Sequence, residues 1–306
     1  MSGFMDQWIK EGTVLKDRFG EIIRIYMDTE HGREYSGLRS FRFPESDAEY
    51  EAAKATVLDE SELTAYFYDM VQRTEAECRV MSLLNENGNI VRYEEYSIEE
   101  DPYQFGWTVN IRVELLKPFL SYIHDNSLTV DDVIMLGIDI SHALEGCHQY
   151  EIVHRNVCPE TIYVTEDGHF KLGGFDIAHE REKVTSDRKQ EKQSIYMSPE
   201  QYGGKNYSYP SDIYSLGLIL YRFLNGDRLP FLPPAPAPVR YFDRQEAIRK
   251  MHEGLPFPAP VNGTSELSEI IKKACAFKPE NRYNATMLRE ALMAYPIKIR
   301  NIYQFT

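Results

Sequence analysis

Basic residues are scarce. The 306-residue chain carries 34 Lys and Arg against 48 Asp and Glu, a formal charge of −14, so its average surface repels nucleic acid and anionic lipid, and no nucleic-acid partner is expected. Cysteine is scarcer still: Cys78, Cys147, Cys158 and Cys275 are the only four. They lie far apart and form no CxxC or CxxH pair, which excludes a zinc-finger site and a disulfide framework and leaves buried thiols as the expectation. Long apolar runs are missing as well. Nothing approaches the roughly 18 uncharged residues that a membrane helix needs, and the start, MSGFMDQWIKEG, has no basic stretch followed by an apolar one. No membrane segment, no signal peptide and a cytoplasmic location are therefore expected. Internal repeats and heptads are absent too.

What is present reads as an ordinary globular protein, with 42% hydrophobic, 12% aromatic and 27% charged residues. The length suits two compact units or one bilobal one. Glu21–Met27 and Glu34–Phe43 are β-branched or aromatic runs around a turn at His31-Gly32, the pattern of an antiparallel hairpin. Ile90–Ile98 and Trp107–Leu116 alternate in the same way around the turn-rich Glu99–Gly106. Between the pairs, apolar residues at helical spacing predict an amphipathic helix from about Ser61 to Asn85, packed on the small sheet.

From Thr129 the pattern turns helical. Val130–Gln149 carries Val133, Leu136, Ile140, Ala143, Leu144 and His148 on one side, and Ser211–Asn225 is apolar nearly all round, as a buried helix is. Ile162–Val164 and His169–Leu172 suggest a second small sheet. Pro230–Pro238 (PFLPPAPAP) has PxxP spacing that could dock an SH3-like groove, although a stiff surface loop between two helices is the better-supported reading.

Five strings occur in a fixed order: VHRNVCPETIYV (Val153–Val164), KLGGFDIA (Lys171–Ala178), YMSPEQY (Tyr196–Tyr202), SDIYSLG (Ser211–Gly217) and FKPENRY (Phe277–Tyr283). In that order and spacing the chain resembles the eukaryotic-type protein kinase superfamily, from about Gly12 to Ala294, and YMSPEQ with the proline-rich loop looks most like the bacterial serine/threonine kinases. The resemblance implies an α+β bilobal kinase-like fold: a small antiparallel-sheet lobe with one long helix over residues 1–116, hinged near Leu115–Lys117 to a larger, mainly helical lobe over 117–306. It also implies structural roles for five residues. His154 packs beneath the catalytic loop, Arg155 meets the activation segment, Glu200 pairs with Arg282, and Asp212 accepts hydrogen bonds from catalytic-loop backbone.

The positions that perform phosphoryl transfer are changed. Such a kinase uses an aspartate base, an asparagine and an aspartate on Mg²⁺, and a strand lysine on the nucleotide phosphates. By the resemblance these positions hold Asn156, Thr161 and Gly174, with Cys158 at the catalytic-loop lysine, and Asp176 lies two residues beyond the metal position. In the glycine-rich loop Leu15 and Asp17 replace glycines and only Gly20 survives. The strand lysine falls on Leu38, or on Arg39 with a one-residue bulge; only Arg39 gives Glu77, the matching helix glutamate, a cationic partner.

By the resemblance Val113 matches the gatekeeper, which implies that Glu114 and Leu116 belong to a hinge able to present backbone groups to an adenine, with Arg39 and Glu77 in the same nucleotide cleft. Together these readings imply a catalytically inactive kinase-like protein acting as a regulatory or scaffolding module in signalling, with a protein partner that the sequence does not identify. ATP is a possible ligand, and no Mg²⁺ or other metal site is expected. Two alternatives stand beside it: a weakly active serine/threonine kinase with rearranged groups, and a nucleotide-binding sensor without transfer. The tail Pro296–Thr306 is unlike the family core.

Overall fold

The fold follows from two separate sets of alternating and helical patterns. A computed structural model describes residues 4–17, 20–175, 195–204 and 207–295. Asp176 and the tail therefore lie outside the described residues, as do the side chains of Leu15 and Asp17. The described residues divide into two units, the first holding those up to Glu86 with Val91–Leu116 and Phe175, the second Asn87–Ile90, Lys117–Gly174 and those from 195 on.

In the first unit, β1 (Ile9–Asp17), β2 (Gly20–Thr29) and β3 (Gly32–Phe43) are followed by helices α1 (Asp47–Lys54) and α2 (Glu60–Leu84), then β4 (Tyr93–Glu100) and β5 (Trp107–Val113). The strands form one antiparallel sheet in the order β1-β2-β3-β5-β4. The expected β2–β3 hairpin closes with Thr29 opposite Gly32. β1 is an addition to the sequence reading, because irregularities between Lys10 and Gly12 and between Thr13 and Leu15 break its period-two pattern.

The pleat gives the sheet two different faces. β3 turns Gly37, Arg39, Phe41 and Phe43 to the side of Val113, Ile111, Val109 and Trp107. α2 covers that side with Leu63, Phe67, Val71 and Cys78. Leu38 points the other way, into a cluster with Trp8 and Ile25. α2 starts where Asp59 caps it, its carboxylate accepting the Ser61 and Glu62 N–H groups at 2.9 Å.

The second unit contains β6 (Lys117–Pro118), α3 (Phe119–Asp125), α4 (Val130–Gln149), β7 (Ile162–Val164), β8 (Phe170–Leu172), α5 (Pro199–Tyr202), α6 (Tyr209–Leu224), α7 (Tyr241–His252), α8 (Ser265–Ala274) and α9 (Ala285–Met293). β6, β7 and β8 form a small antiparallel sheet. α4 opens with a reciprocal cap between Thr129 and Asp132 and packs on α6 and α9, while α6 buries nearly every side chain from Ser211 to Tyr221. No helix among the described residues is long and apolar enough to cross a membrane.

Three sequence expectations are corrected. The fourth strand begins at Tyr93, not Ile90, because Asn87 donates to His142 O at 3.0 Å and Asn89 to Phe170 O at 2.9 Å, drawing Ile90 into a parallel bridge with Leu172. The fifth ends at Val113 rather than Leu116, since the Glu114 N–H turns to Arg92 O at 3.1 Å. The proline-rich loop is not extended. It folds back through Leu232 N–H to Leu229 O and Ala237 N–H to Pro234 O, and Arg228 donates to Ala237 O at 3.1 Å. A turned loop does not offer the open polyproline face that PxxP recognition uses.

Candidate functional site

The loop between α4 and β7 is held from below by one carboxylate. Asp212, buried on α6, accepts the His154 and Arg155 backbone N–H groups at 2.9 Å each and faces His148 Nε2 at 3.2 Å. Three donors satisfy a charge that would be costly to bury alone. Arg155 takes a left-handed backbone, φ 66°, which a non-glycine residue adopts only when its surroundings fix it; the Asp212 bond supplies that constraint. His154 is buried with Nε2 at 3.0 Å from Gly173 O, and its Nδ1 accepts the Asn156 N–H at 3.3 Å. One neutral tautomer, protonated on Nε2, serves both bonds.

Asn156 and Thr161 face inward to the loop itself. Thr161 is fully buried. Its hydroxyl accepts the Cys158 N–H at 3.2 Å and lies 2.9 Å from Cys158 O and 3.1 Å from Asn156 O. Asn156 Oδ1 is 3.7 Å from the Cys158 thiol, and its Nδ2 is buried with no hydrogen-bond partner. Gly173, whose N–H reaches Thr161 O at 2.8 Å, leads directly to Gly174, where φ is 69° and there is no side chain at all.

Chemically this set can orient a loop but cannot do two other things. A carboxamide has no lone pair basic enough to take a proton from a hydroxyl near neutral pH. Mg²⁺ requires several oxygens in near-octahedral array, whereas the Thr161 hydroxyl is spent inside the loop and Gly174 offers no side-chain oxygen. The residues at these positions do not fit the ion. Among the described residues no group of three His, Cys, Asp or Glu is placed to hold a metal.

Glu200 and Arg282 form a separate, buried pair. Arg282 Nη1 and Nη2 donate to the two Glu200 oxygens at 2.7 and 2.8 Å. The remaining guanidinium hydrogens go to Ala276 O (2.7 Å), Pro210 O (3.0 Å) and Phe277 O (3.0 Å), so all five are used. Ser211, next to Asp212, adds its hydroxyl to Glu200 at 2.9 Å. Burial alone would raise the Glu200 carboxyl, but the hydrogen bonds and charge of Arg282 outweigh it and bring it down to about 2.

In the first unit, Arg39 is 7% and Glu77 9% exposed. The β3 register puts the two candidate positions on opposite faces of the sheet: Arg39 lies on the face α2 covers and Leu38 on the other. Glu77, on α2, accepts the Tyr93 hydroxyl at 3.3 Å. Glu114 is stitched to Arg92, donating its N–H to Arg92 O at 3.1 Å and accepting the Arg92 N–H at 3.2 Å. Leu116, half-buried, is the last residue of that stretch.

Sequence reasoning did not find His148, Ser211 or Gln201. His148 left a signal, a polar residue on the apolar stripe of α4 that needs a partner when buried. Gln201 is fixed by its own turn, its Oε1 accepting Ser198 N–H and O–H at 2.8 and 2.7 Å. With Arg155, Asn156, Cys158, Tyr196 and Tyr207 it borders a cavity of about 90 Å³ in the second unit.

Residues 45–292 match the family model of the protein kinase domain. The match begins after β3, so Leu15, Asp17, Gly20 and Arg39 lie outside it. A probable serine/threonine-protein kinase of Clostridium perfringens is 30% identical over 221 residues, covering 70% of this chain and 30% of that protein. The serine/threonine-protein kinase PknB of Mycobacterium leprae is 33% identical over 165 residues, 52% of this chain and 25% of that protein. A probable PknB of Lactococcus lactis is 30% identical over 169 residues, with shares of 53% and 25%. The matched stretch thus spans less than a third of the length of these relatives.

Proposed function

The chain belongs to the protein kinase domain family, and on that premise we propose that it is a kinase-fold protein without phosphoryl-transfer activity, whose work is to bind a protein partner in signalling. In this reading residues 1–116 and 117–306 are the small and large lobes. The observation that carries it is the state of three positions in one loop network. Asn156 is no base, the Thr161 hydroxyl is consumed by Asn156 and Cys158, and Gly174 brings no carboxylate. General-base loss alone costs about 10²–10⁴ in rate, and metal positioning supplies the larger electrostatic share of phosphoryl transfer. The scaffold around those positions, by contrast, keeps the Asp212 bonds to the loop backbone and the Glu200–Arg282 pair. Loss of chemistry with retention of architecture favours a binding role over a relocated active site.

A nucleotide-binding sensor without transfer is the second reading. It is favoured by Arg39 and Glu77, a cation and a carboxylate kept buried on the same side of the small sheet. Titration calorimetry of ATP with Mg²⁺ and with EDTA tests the proposal. Equal constants, or no binding in either buffer, are expected; ATP that binds markedly tighter with Mg²⁺ would mean that a metal site exists and would overturn it.

A further inference from the structure

We propose that the outer edge of β4 takes up an extended segment of a partner protein in which lysine or arginine alternates with aliphatic residues, adding it as a further strand to the sheet of the first unit. The inference rests on the reading of this chain as a protein-binding module and gives that partner a chemistry. It starts from the backbone. β4 stands at the end of the strand order, with β5 on one side and no strand on the other. Two contacts fix which way its peptide groups point. At its start Arg92 O accepts the Glu114 N–H at 3.1 Å, so Arg92 faces inward and Tyr93 outward. The Asn85 amide meets Tyr93 there as a neighbouring strand would, its Nδ2 donating to Tyr93 O at 2.7 Å and its Oδ1 accepting the Tyr93 N–H at 3.1 Å. At its end the Asp101 N–H turns inward to Gly106 O at 3.0 Å.

Between those ends the peptide groups alternate, and the irregularity between Tyr93 and Glu95 brings the two ends into phase. The N–H and C=O groups of Tyr96, Ile98 and Glu100 therefore face away from β5, and none of these backbone groups has a partner among the described residues. Ile98 is 36% exposed, and Glu99 and Glu100 are exposed beside it. Sheet edges are ordinarily closed by a proline, a bulge or a covering element. From Tyr96 to Glu100 there is no proline and no irregularity.

Side chains along the edge select the occupant. β4 carries Glu94, Glu95, Glu99 and Glu100 and no lysine or arginine. Glu94 is spent on Arg112 at 2.6 Å and the Ser36 hydroxyl at 2.9 Å, and Glu95, half exposed, lies 3.6 Å from the same guanidinium. Glu99 accepts only neutral donors, the Ser97 hydroxyl at 3.1 Å and the Asn110 amide at 3.3 Å, and neither it nor Glu100 has a cationic partner among the described residues. The register sets Glu95, Ser97 and Glu99 on one face, and Tyr96 and Ile98 with Glu100 at their end on the other. An added strand thus meets carboxylates on one face and mainly apolar side chains on the other, which cationic and aliphatic residues in alternation satisfy. A second copy does not fit, since pairing edge to edge would set glutamate against glutamate.

Fluorescence anisotropy with the whole chain and three labelled peptides tests the proposal: one alternating lysine and valine, one alternating glutamate and valine, and the lysine peptide with its peptide nitrogens methylated, which keeps the charge and removes the donors. The first should bind at least about tenfold tighter than either of the others. Ile98→Pro removes one outward N–H without costing a bond to β5, and the exposed pair Glu99→Lys with Glu100→Lys reverses the charge; each should weaken binding about tenfold or more with the melting temperature kept. If the proline lowers the melting temperature, the charge pair decides alone. Equal binding by the glutamate or the methylated peptide, folded variants that bind like the wild type, or a dimer of the chain that Ile98→Pro abolishes would overturn the proposal. Phosphoryl transfer to a serine-bearing lysine peptide would instead overturn the reading beneath it.

Discussion

Arg282 shows how much one side chain can hold. Its five N–H groups tie the Glu200 carboxylate to three carbonyls from two segments of the chain, with the guanidinium also 4.8 Å from the Tyr214 ring. Arg282→Ala leaves a buried carboxylate unpaired and should lower unfolding stability by about 3–5 kcal/mol; a change within roughly 0.5 kcal/mol in chemical denaturation would contradict the burial. The pair also sets an acid limit. The Glu200 carboxyl is held at about 2 when folded against an ordinary 4.5, so its contribution is complete above 4.5 and is lost as pH falls toward 2. Stability measured across that window should decline, and Glu200→Gln should remove part of the decline. A wild-type curve flat from pH 5 to 2 would be incompatible with the pair.

The thiols make a second residue-scale prediction. Burial pushes Cys78 up to about 12 and Cys147 and Cys275 higher still, so none offers thiolate at neutral pH. In native protein these three should resist a thiol reagent such as dithionitrobenzoate and react only after unfolding. Rapid labelling of any of them in the folded state would show that its surroundings open.

At the scale of elements, caps and faces do the work. Thr129 and Asp132 exchange hydrogen bonds at the start of α4, with Thr129 N–H and O–H each 2.7 Å from Asp132 and the Asp132 N–H 3.2 Å from Thr129 Oγ1. Thr129→Ala should therefore cost about 1 kcal/mol by denaturant titration, within the range of N-cap losses; no change would mean that water replaces the cap at no loss. The helices α2, α4 and α6 were legible in the sequence because their apolar spacing and start signals are local. β1 was hidden by its two irregularities. Leu38 and Arg39 could not be separated by spacing, since adjacent residues on a strand differ only in face, and the face is set by pairing to Ile111 and Arg112 on β5. Ile90 left its strand for a reason no window contains: Asn87 and Asn89 bond to residues more than fifty positions away.

For the whole molecule, the order of five motifs was enough to read the fold, because order and spacing survive where single residues do not. The changed positions Asn156, Thr161 and Gly174 were equally visible as identities. What the sequence could not supply was their bonding: that Thr161 is turned wholly into its own loop, and that Asn156 Nδ2 is buried with no hydrogen-bond partner. Bonding of that kind supports the proposal that the loop is kept as structure rather than as a place of phosphoryl transfer. Phosphoryl transfer is the most direct measurement of that distinction. Purified protein and its Asn156→Asp variant, each with γ-labelled ATP, Mg²⁺ and a generic protein substrate, should transfer no label above a blank, since the aspartate alone leaves Thr161 and Gly174 unable to place the ion. Robust Mg²⁺-dependent labelling by either protein would contradict the account.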